Sequence, residues 1–288
     1  MHFTNLSLVR PGLYVVATPI GNLTDFSLRA QSVLRGVDHI LAEDTRRARQ
    51  LLEQFDINNI LSSYHDHNEI DRAEIVINRM IQQSIALALI SDSGTPLISD
   101  PGYRLVCRGV EAGIPVIPVP GPSALIACVS VSNVPVDKFV FEGFLSSKES
   151  LRLKRLTELE KECRSIVFYE APHRIVKFLR ALENIMGPNR KVVVGREMTK
   201  IHEKIYRGTL KEVLSIIEGR SNHRKGEFTI VLEGNSKHLN YLETEIDRWL
   251  RLLLEEVDLK TAARIVSEIT GSRKNLIYSR ALELEKKK

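Results

Sequence analysis

Four polar, turn-rich stretches gather most of the groups in this 288-residue chain that could do chemistry. "TPIGNLTD" (residues 18–25) carries Asp25, and "EDTRR" (43–47) carries Glu43, Asp44, Arg46 and Arg47. "HDHNE" (65–69) brings His65 and His67, and "SDSGTPLISDPG" (91–102) sets Asp100 among two glycines and two prolines. Carboxylates, imidazoles and guanidiniums on loops accept protons, donate hydrogen bonds or grip anions. Taken singly, each stretch also has a plain reading: "PIGN" as a turn, "EDTR" as a helix cap, "SDPG" as a turn ahead of a helix.

Missing fingerprints narrow the chemistry. The chain has no G-x-G-x-x-G after its first strand and no G-x-x-x-x-G-K-[ST], which disfavours a dinucleotide or a P-loop nucleotide. It has no H-E-x-x-H, no cysteine pair and no EF-hand loop, so no metal is expected. His65 and His67, two apart on a loop, read as hydrogen-bonding residues. Without G-x-S-x-G, no serine nucleophile is expected either. Cys107, Cys128 and Cys163 are far apart and sit in apolar patterns, so they read as small core residues of a reducing cytoplasm.

The elements that must hold these loops alternate. Apolar, β-branched runs at 14–17, 39–42, 60–64, 85–90 and 115–119 read as strands. Helical patterns lie between them at 28–35 (with Ser27 as cap), 46–54, 69–82 and 103–111. Such alternation predicts an α/β, doubly wound and mostly parallel sheet, in which ligands sit at the carboxyl ends of the strands. All four polar loops follow strands and so share that edge.

A second set of strands, in "KFVFEGF", "SIVFYEA", "KVVVGREM", "EKIYRGT" and "EFTIVLEG", comes with helices at 122–132, 149–162, 175–185 and 210–217. The last three strands have one helix among them, which suits a mixed α+β arrangement. "VPGPSAL" is the expected hinge, with Pro122 opening the next helix. After Gly234 only helices are expected. Leu242, Ile246, Trp249, Leu250 and Leu253 form one stripe, and a helix-turn-helix outline follows, with a helix over 260–270, Gly271 as its C′ residue and Ser272 capping the next. That last helix would expose Arg273, Lys274, Asn275 and Arg280. The expected divisions are 1–118, 119–238 and 239–288.

No apolar run reaches membrane-spanning length, and residues 1–16 lack the basic and apolar regions of a secretory signal, so a cytoplasmic location and no membrane partner are expected. The formal charge of +5 is uneven. Residues 117–239 hold 21 basic against 14 acidic residues, whereas 1–116 hold 10 against 13. Lys148, Arg152, Lys154 and Arg155 form one basic cluster and residues 190–225 another, compatible with a solvated helix face or a phosphate-binding surface.

The stretches "LYVVATPIGNLTDFSLRA", "EDTRRARQLL", "HDHNE", "SDSGTPLISDPGYRLV", "PVPGPSAL", "FVFEGFL", "VFYEAPHRI", "GREMTKIHEKIYRGTL" and "KGEFTIVLEG" stand in the order of the tetrapyrrole-methylase superfamily. Over nearly the whole chain the sequence resembles its ribosomal branch, the cytidine 2′-O-ribose methyltransferases. The resemblance implies a two-domain fold with a small helical C-terminal region and S-adenosylmethionine bound in the cleft between domains. It also implies a homodimer acting on a cytidine ribose in the decoding region of small-subunit (16S) ribosomal RNA, naked or in the assembled subunit.

Carried over by motif, the cofactor loop corresponds to Gly94, Thr95 and Pro96, followed by Ile98. Thr95 replaces the superfamily's aspartate, which removes a charge and points to a weaker or backbone contact. Ser123 and Ala124 fall beside the methionine part. Phe168, Tyr169, Met198 and Thr229 fall around the adenine, and Pro19 marks where the first strand meets the cofactor. S-adenosylmethionine has no phosphates, which accounts for a nucleoside site without a glycine cradle.

For transfer to a 2′-hydroxyl, candidate bases or catalytic groups are Asp25, Glu43, Asp44, Arg46, His67, Asp100 and Glu170. Asp44 could instead simply cap a helix, and Asp25 close a turn. Arg46, Arg47, His173 and Arg174 are candidates for gripping phosphate or ribose, and Lys148, Arg152, Lys154 and Arg155 for the RNA backbone. Two rivals stand beside this reading: a superfamily member acting on a porphyrin-like ring or a protein, and a non-enzymatic ribosome-assembly factor.

Overall fold

The structure, a computed structural model, describes residues 9–65, 69–270 and 272–285. His67 and Gly271 lie outside them, as does the side chain of Leu242. The first sheet contains β1 (Gly12–Val16), β2 (His39–Ala42), β3 (Leu61–Ser63), β4 (Ala86–Ile90) and β5 (Val116–Val119), in the order β3-β2-β4-β1-β5. Every pairing is parallel.

Helices α1 (Leu28–Gly36), α2 (Thr45–Glu53), α3 (Glu69–Gln83) and α4 (Tyr103–Glu111) connect these strands. Ala30, Val33, Leu34, Ala48 and Leu52 cover one face of the sheet, and Ala73, Ile77, Met80 and Leu105 the other. A strand covered on both faces needs no polar alternation, so "ALALI" in β4 is buried at all five positions. With all five strands parallel, their carboxyl ends emerge on one edge.

Capping fixes where the loops stop. The Ser27 hydroxyl accepts from the Ala30 N–H at 3.1 Å, as expected. The N-cap position of α4 is Gly102, which has no side chain to cap with. The buried Glu69 carboxylate does so from the start of α3, accepting from the N–H of Gly102 (3.3 Å) and Arg104 (2.8 Å).

The second sheet contains β6 (Phe139–Phe144), β7 (Ser165–Glu170), β8 (Lys191–Arg196), β9 (Lys204–Thr209) and β10 (Phe228–Leu232), ordered β6-β7-β10-β8-β9. Only β6 and β7 are parallel; the other pairs are antiparallel. Helices α6 (Glu149–Leu159), α7 (Ile175–Met186) and α8 (Leu210–Gly219) bury one face around Phe168, Phe178 and Ile230. On the other face, α5 (Ala124–Ser130) packs Leu125, Cys128 and Val129 on Val167, Val193 and Val231, joined by Ile98 from the first sheet's loop. Pro122 does not open α5: the helix begins two residues later, behind Ser123.

Three helices follow, α9 (Ser236–Glu256), α10 (Leu259–Thr270) and α11 (Lys274–Glu285), around their own core of Leu250, Ala262, Ala263, Val266, Ile277, Ala281 and Leu284. One expectation is corrected here. The carbonyl that accepts α11's first bonds belongs to Arg273, not Ser272, which uses its own carbonyl to receive the Ser267 hydroxyl. Arg280 is exposed as expected, and its guanidinium clamps Asp247 of α9 through two bonds of 2.7 and 2.6 Å. Among the described residues, no helix is long and apolar enough to cross a membrane.

Candidate active site

The strand ends of the parallel sheet are tied together by backbone. Thr18, just past β1, exchanges two hydrogen bonds with Gly94, past β4: Thr18 N–H to Gly94 O at 2.8 Å and Gly94 N–H to Thr18 O at 3.1 Å. The Thr18 hydroxyl also donates to the Ser91 carbonyl at 3.3 Å. Gly94 sits at φ +84°, and a Cβ there would stand 3.2 Å from Ile20 Cγ2. A side chain at Gly94 is therefore disfavoured by both conformation and space. The Thr95 hydroxyl donates to the Pro122 carbonyl at 3.0 Å, joining the loops after β4 and β5. Thr95 thus acts through its side chain as a brace. Leu97 and Ser99, at φ 72° and 70°, are in the left-handed region on either side of Ile98, whose half-buried side chain is turned onto the second sheet's core.

From the second sheet, Tyr169 reaches across to meet these loops. Its phenol oxygen accepts from the Leu125 N–H at 3.0 Å, so a tyrosine from β7 caps α5 where Ser123 makes no capping bond. Burial raises the Tyr169 phenol's pKa, and the Asp100 carboxylate nearby adds to the effect. The register sets Tyr169, Thr229 and Gly195 in one row across β7, β10 and β8. Met198 and Cys128 lie over that row: a Cβ on Gly195 would be 2.7 Å from the Met198 sulfur and 3.0 Å from the Cys128 sulfur. Glu197 and Thr199, at φ 52° and 67°, fix Met198 between them. Burial pushes the Cys128 thiol up to about 11, so it stays neutral.

The two halves also meet at Gly21, where a Cβ would fall on the aliphatic stem of Lys200. That stem lies against the "TPIGN" loop, while its amine bonds Glu197 (3.1 Å) and Glu227 (3.0 Å). Pro19, Gly94, Thr95, Pro96, Ile98, Ser123, Ala124, Tyr169, Met198 and Thr229 thus fall on the facing edges of the two sheets. Phe168 does not, and its assignment is corrected. Strand alternation turns it to the other face, fully buried, with its ring centroid 5.3 Å from that of Phe178.

The acids separate sharply. Asp44 accepts from its neighbour Arg46 three times, at the backbone N–H (2.8 Å), Nε (3.2 Å) and Nη2 (2.9 Å), and the Arg46 side chain holds its pKa down at about 2. It is a helix cap and a poor base. Glu170 is also corrected as a catalytic group, because it is buried and ion-paired with Arg174 at 2.7 Å while accepting from the Ala171 N–H at 2.7 Å. Asp25 is exposed at the end of a short 3₁₀ turn. Glu43 accepts from the Asp92 N–H at 3.4 Å, and Asp100 is half-buried near Tyr169.

The cations separate too. Arg47 and Arg46 are exposed but paired to Asp92 and Asp44. Lys148, Lys154 and His173 are exposed. Arg152 is not part of an exposed basic face: it is 6 % exposed and donates to the Ser146 and Ser147 carbonyls at 3.4 Å, closing the turn before α6. Arg155 is clamped by Glu142 through bonds of 2.9 and 2.7 Å and by Glu158 at 3.0 Å. Arg174 serves Glu170.

Sequence reasoning missed Thr18, Asp92, Lys200 and Glu69. Asp92 receives both the Asp44 N–H and the Arg47 guanidinium, at 3.0 Å each. Each of these four acts on a partner distant in sequence, and no local pattern signals such a pairing.

Residues 12–214 match the family described as Tetrapyrrole (Corrin/Porphyrin) Methylases, and residues 242–285 match the RsmI C-terminal HTH domain. A ribosomal RNA small subunit methyltransferase I of Xylella fastidiosa (strain Temecula1) is 49% identical over 269 residues, covering 93% of this chain and 98% of the relative. The protein of the same name from Escherichia coli O157:H7 is 44% identical over 271 residues, covering 94% of each. Among solved structures, the methyltransferase CobJ superposes with a TM-score of 0.57 at 17% identity, over 78% of this chain and 95% of that one. A uroporphyrin-III C-methyltransferase from Thermus thermophilus, complexed with S-adenyl homocysteine, gives 0.54 at 16% identity over 76% and 96%. At such identities the likeness is one of fold, and it agrees with the pair of sheets described above. The chain belongs to the ribosomal RNA small subunit methyltransferase I family, a branch of the tetrapyrrole (corrin/porphyrin) methylases.

Proposed function

We propose that the protein transfers a methyl group from S-adenosylmethionine to small-subunit ribosomal RNA, at the 2′-hydroxyl of a cytidine ribose in the decoding region. One observation carries the reading: loops from three strand ends of the parallel sheet, bonded through Thr18–Gly94 and Thr95–Pro122, stand against Tyr169 of the second sheet. The names of the relatives at 44–49% identity supply the substrate class.

The residues fit the cofactor. Pro19, Ile20, Met198 and the Tyr169 ring offer an apolar wall for a flat base, and Gly94, with no side chain, keeps its backbone accessible beside Ile20. No phosphate has to be cradled. When bound, S-adenosylmethionine supplies an electrophilic methyl on a sulfonium. The protein's own part is alignment: the braces at Thr18, Thr95 and Tyr169 hold both walls of the cleft at fixed spacing, so that a nucleophile meets the methyl in line.

Asp100, half-buried beside a neutral Tyr169, is our candidate for taking the hydroxyl proton, with Asp25, Glu43 and His67 as the alternatives. Asp44 and Glu170 are committed to Arg46 and Arg174. Arg47, Lys148, Lys154 and His173 would meet the RNA backbone. We further infer that residues 1–118 and 119–238 act as two domains around the cleft, with 239–288 as an appended helical region, and that the protein works as a cytoplasmic homodimer.

Incubation with tritiated S-adenosylmethionine and either small subunits or naked ribosomal RNA tests this reading. Label recovered as 2′-O-methylcytidine is the expected result. Cofactor binding without transfer to either RNA, or transfer to a porphyrinoid instead, would reject it.

A further inference from the structure

The loop before α4 and the end of β6, in "SDSGTPLISDPG" and "FVFEGFL", meet at a junction that neither stretch signals by itself. Strand β6 slips register against β7 between Phe141 and Gly143, and Gly143 takes φ +62°. A Cβ on Gly143 would stand 2.8 Å from the Ser99 hydroxyl, so only glycine lets the bulge come this close to the loop. Around the junction, Ser99, Phe141, Glu142, Gly143 and Phe144 line a pocket of about 350 Å³.

Two of these side chains are unusual for their positions. Phe144 is 55 % exposed, with its ring centroid 5.5 Å from that of Tyr169, and Phe141 meets the same tyrosine edge-on at 5.1 Å. Glu142 has the opposite character, a side chain only 11 % exposed that is held in place by the fork of Arg155. Arg155 uses one lone pair on each carboxylate oxygen, so acceptor capacity remains. A carboxylate accepts and never donates, so it favours a ligand edge carrying N–H groups and opposes a carbonyl.

An exposed ring beside a fixed acceptor is the combination that reads an unstacked base: the ring supplies a stacking face and the acceptor discriminates the edge. A purely apolar ligand would desolvate the free lone pairs of Glu142 and the Ser99 hydroxyl while offering neither a hydrogen bond. The chain leaving β6 runs through Ser146 and Ser147 to the exposed Lys148, which suits a phosphate backbone entering beside the pocket. Tyr169 belongs both to the pocket's aromatic group and to the cleft wall, so the pocket continues the cleft.

We infer that this pocket seats an unpaired nucleobase bearing an exocyclic amine, with Phe144 as its stacking platform and Glu142 as the acceptor that selects it. The inference rests on the methyl-transfer reading for its place in a reaction, but it is tested by binding alone. Fluorescence anisotropy with labelled short single-stranded RNAs, identical except for a central cytidine or uridine, is run in saturating S-adenosylhomocysteine. The wild type is expected to bind the cytidine strand more tightly. Phe144→Ala should weaken that binding by about 5- to 100-fold, and Phe144→Trp should restore it. Glu142→Gln, whose amide can donate as well as accept, should erase the preference between the two strands. Calorimetry should give unchanged S-adenosylhomocysteine affinity in all three variants, showing that they are folded. Phe144→Ala binding as tightly as wild type, a wild type that binds neither strand, or one with no preference for cytidine would each overturn the inference. Failure of the methyl-transfer reading has a different signature: oligonucleotide binding that depends on Phe144, with no tritium transferred.

Discussion

In the parallel sheet, Thr18, Asp44 and Asp92 all follow strands that end at one edge, and backbone groups take part in most of the bonds between them: Thr18 and Gly94 bond backbone to backbone, while the Arg46 N–H and the Asp44 N–H are received by the Asp44 and Asp92 carboxylates. In the mixed sheet, all neighbouring strands but β6 and β7 run in opposite directions, so only some of the strand ends can face the cleft. There the work falls to side chains chosen by strand alternation, with Tyr169 turned toward α5 and Phe168 turned away. A parallel sheet gathers a site by topology, whereas an antiparallel one gathers it by the phase of each strand.

The largest effect that could break this contrast lies at adjacent residues of β7. Phe168→Ala should cost about 3–5 kcal/mol of stability by opening a core cavity, measured by urea unfolding, yet leave S-adenosylmethionine affinity per folded molecule unchanged. A selective loss of affinity would put Phe168 back on the cleft. Next in size, Gly94→Val adds about 1–3 kcal/mol of left-handed strain to a clash with Ile20. Calorimetry should show affinity falling about tenfold or more while circular dichroism stays native. Retained affinity would remove the loop after β4 from the site.

A smaller effect is expected at Tyr169→Phe, which leaves the Leu125 N–H without its acceptor. It should cost about 1 kcal/mol in thermal or urea unfolding and weaken cofactor binding several-fold, because α5 carries Ser123 and Ala124. The smallest concerns pH. Arg46 lowers the folded pKa of Asp44 to about 2, below its ordinary value near 3.8. The stabilisation from that pair is therefore present above about pH 4 and lost as pH falls toward 2, and exposure to solvent keeps it small. Asp44→Asn should leave the pH profile of methyl transfer unchanged between pH 5 and 9. A vanished inflection in that window would make Asp44 a titrating catalyst.

The same contrast explains what the sequence disclosed. Alternating strand and helix patterns located the first sheet to within a residue or two at most ends, and parallel topology then aligned its loops without further information. Ser27 was legible as a cap because capping is local. Phe168 and Tyr169 were not separable, because "SIVFYE" is covered on both faces and its apolar run carries no phase. Lys148, Arg152, Lys154 and Arg155 read as one basic cluster. Its fate depends on Glu142 and on the carbonyls of Ser146 and Ser147, which turn Arg152 inward and neutralise Arg155. Gly143 looked like any strand glycine, and its role follows from Ser99, 44 positions earlier and on the other half of the molecule.

A crystal structure of the protein with S-adenosylhomocysteine tests the central claim most directly, since it locates the cofactor independently of any mutation. The expected result is ligand density between the 94–96 loop and Tyr169, with the base near Met198 and Thr229 and the sulfur toward Ser123. Density on the Phe168 face of the second sheet, or away from both strand edges, would contradict the account.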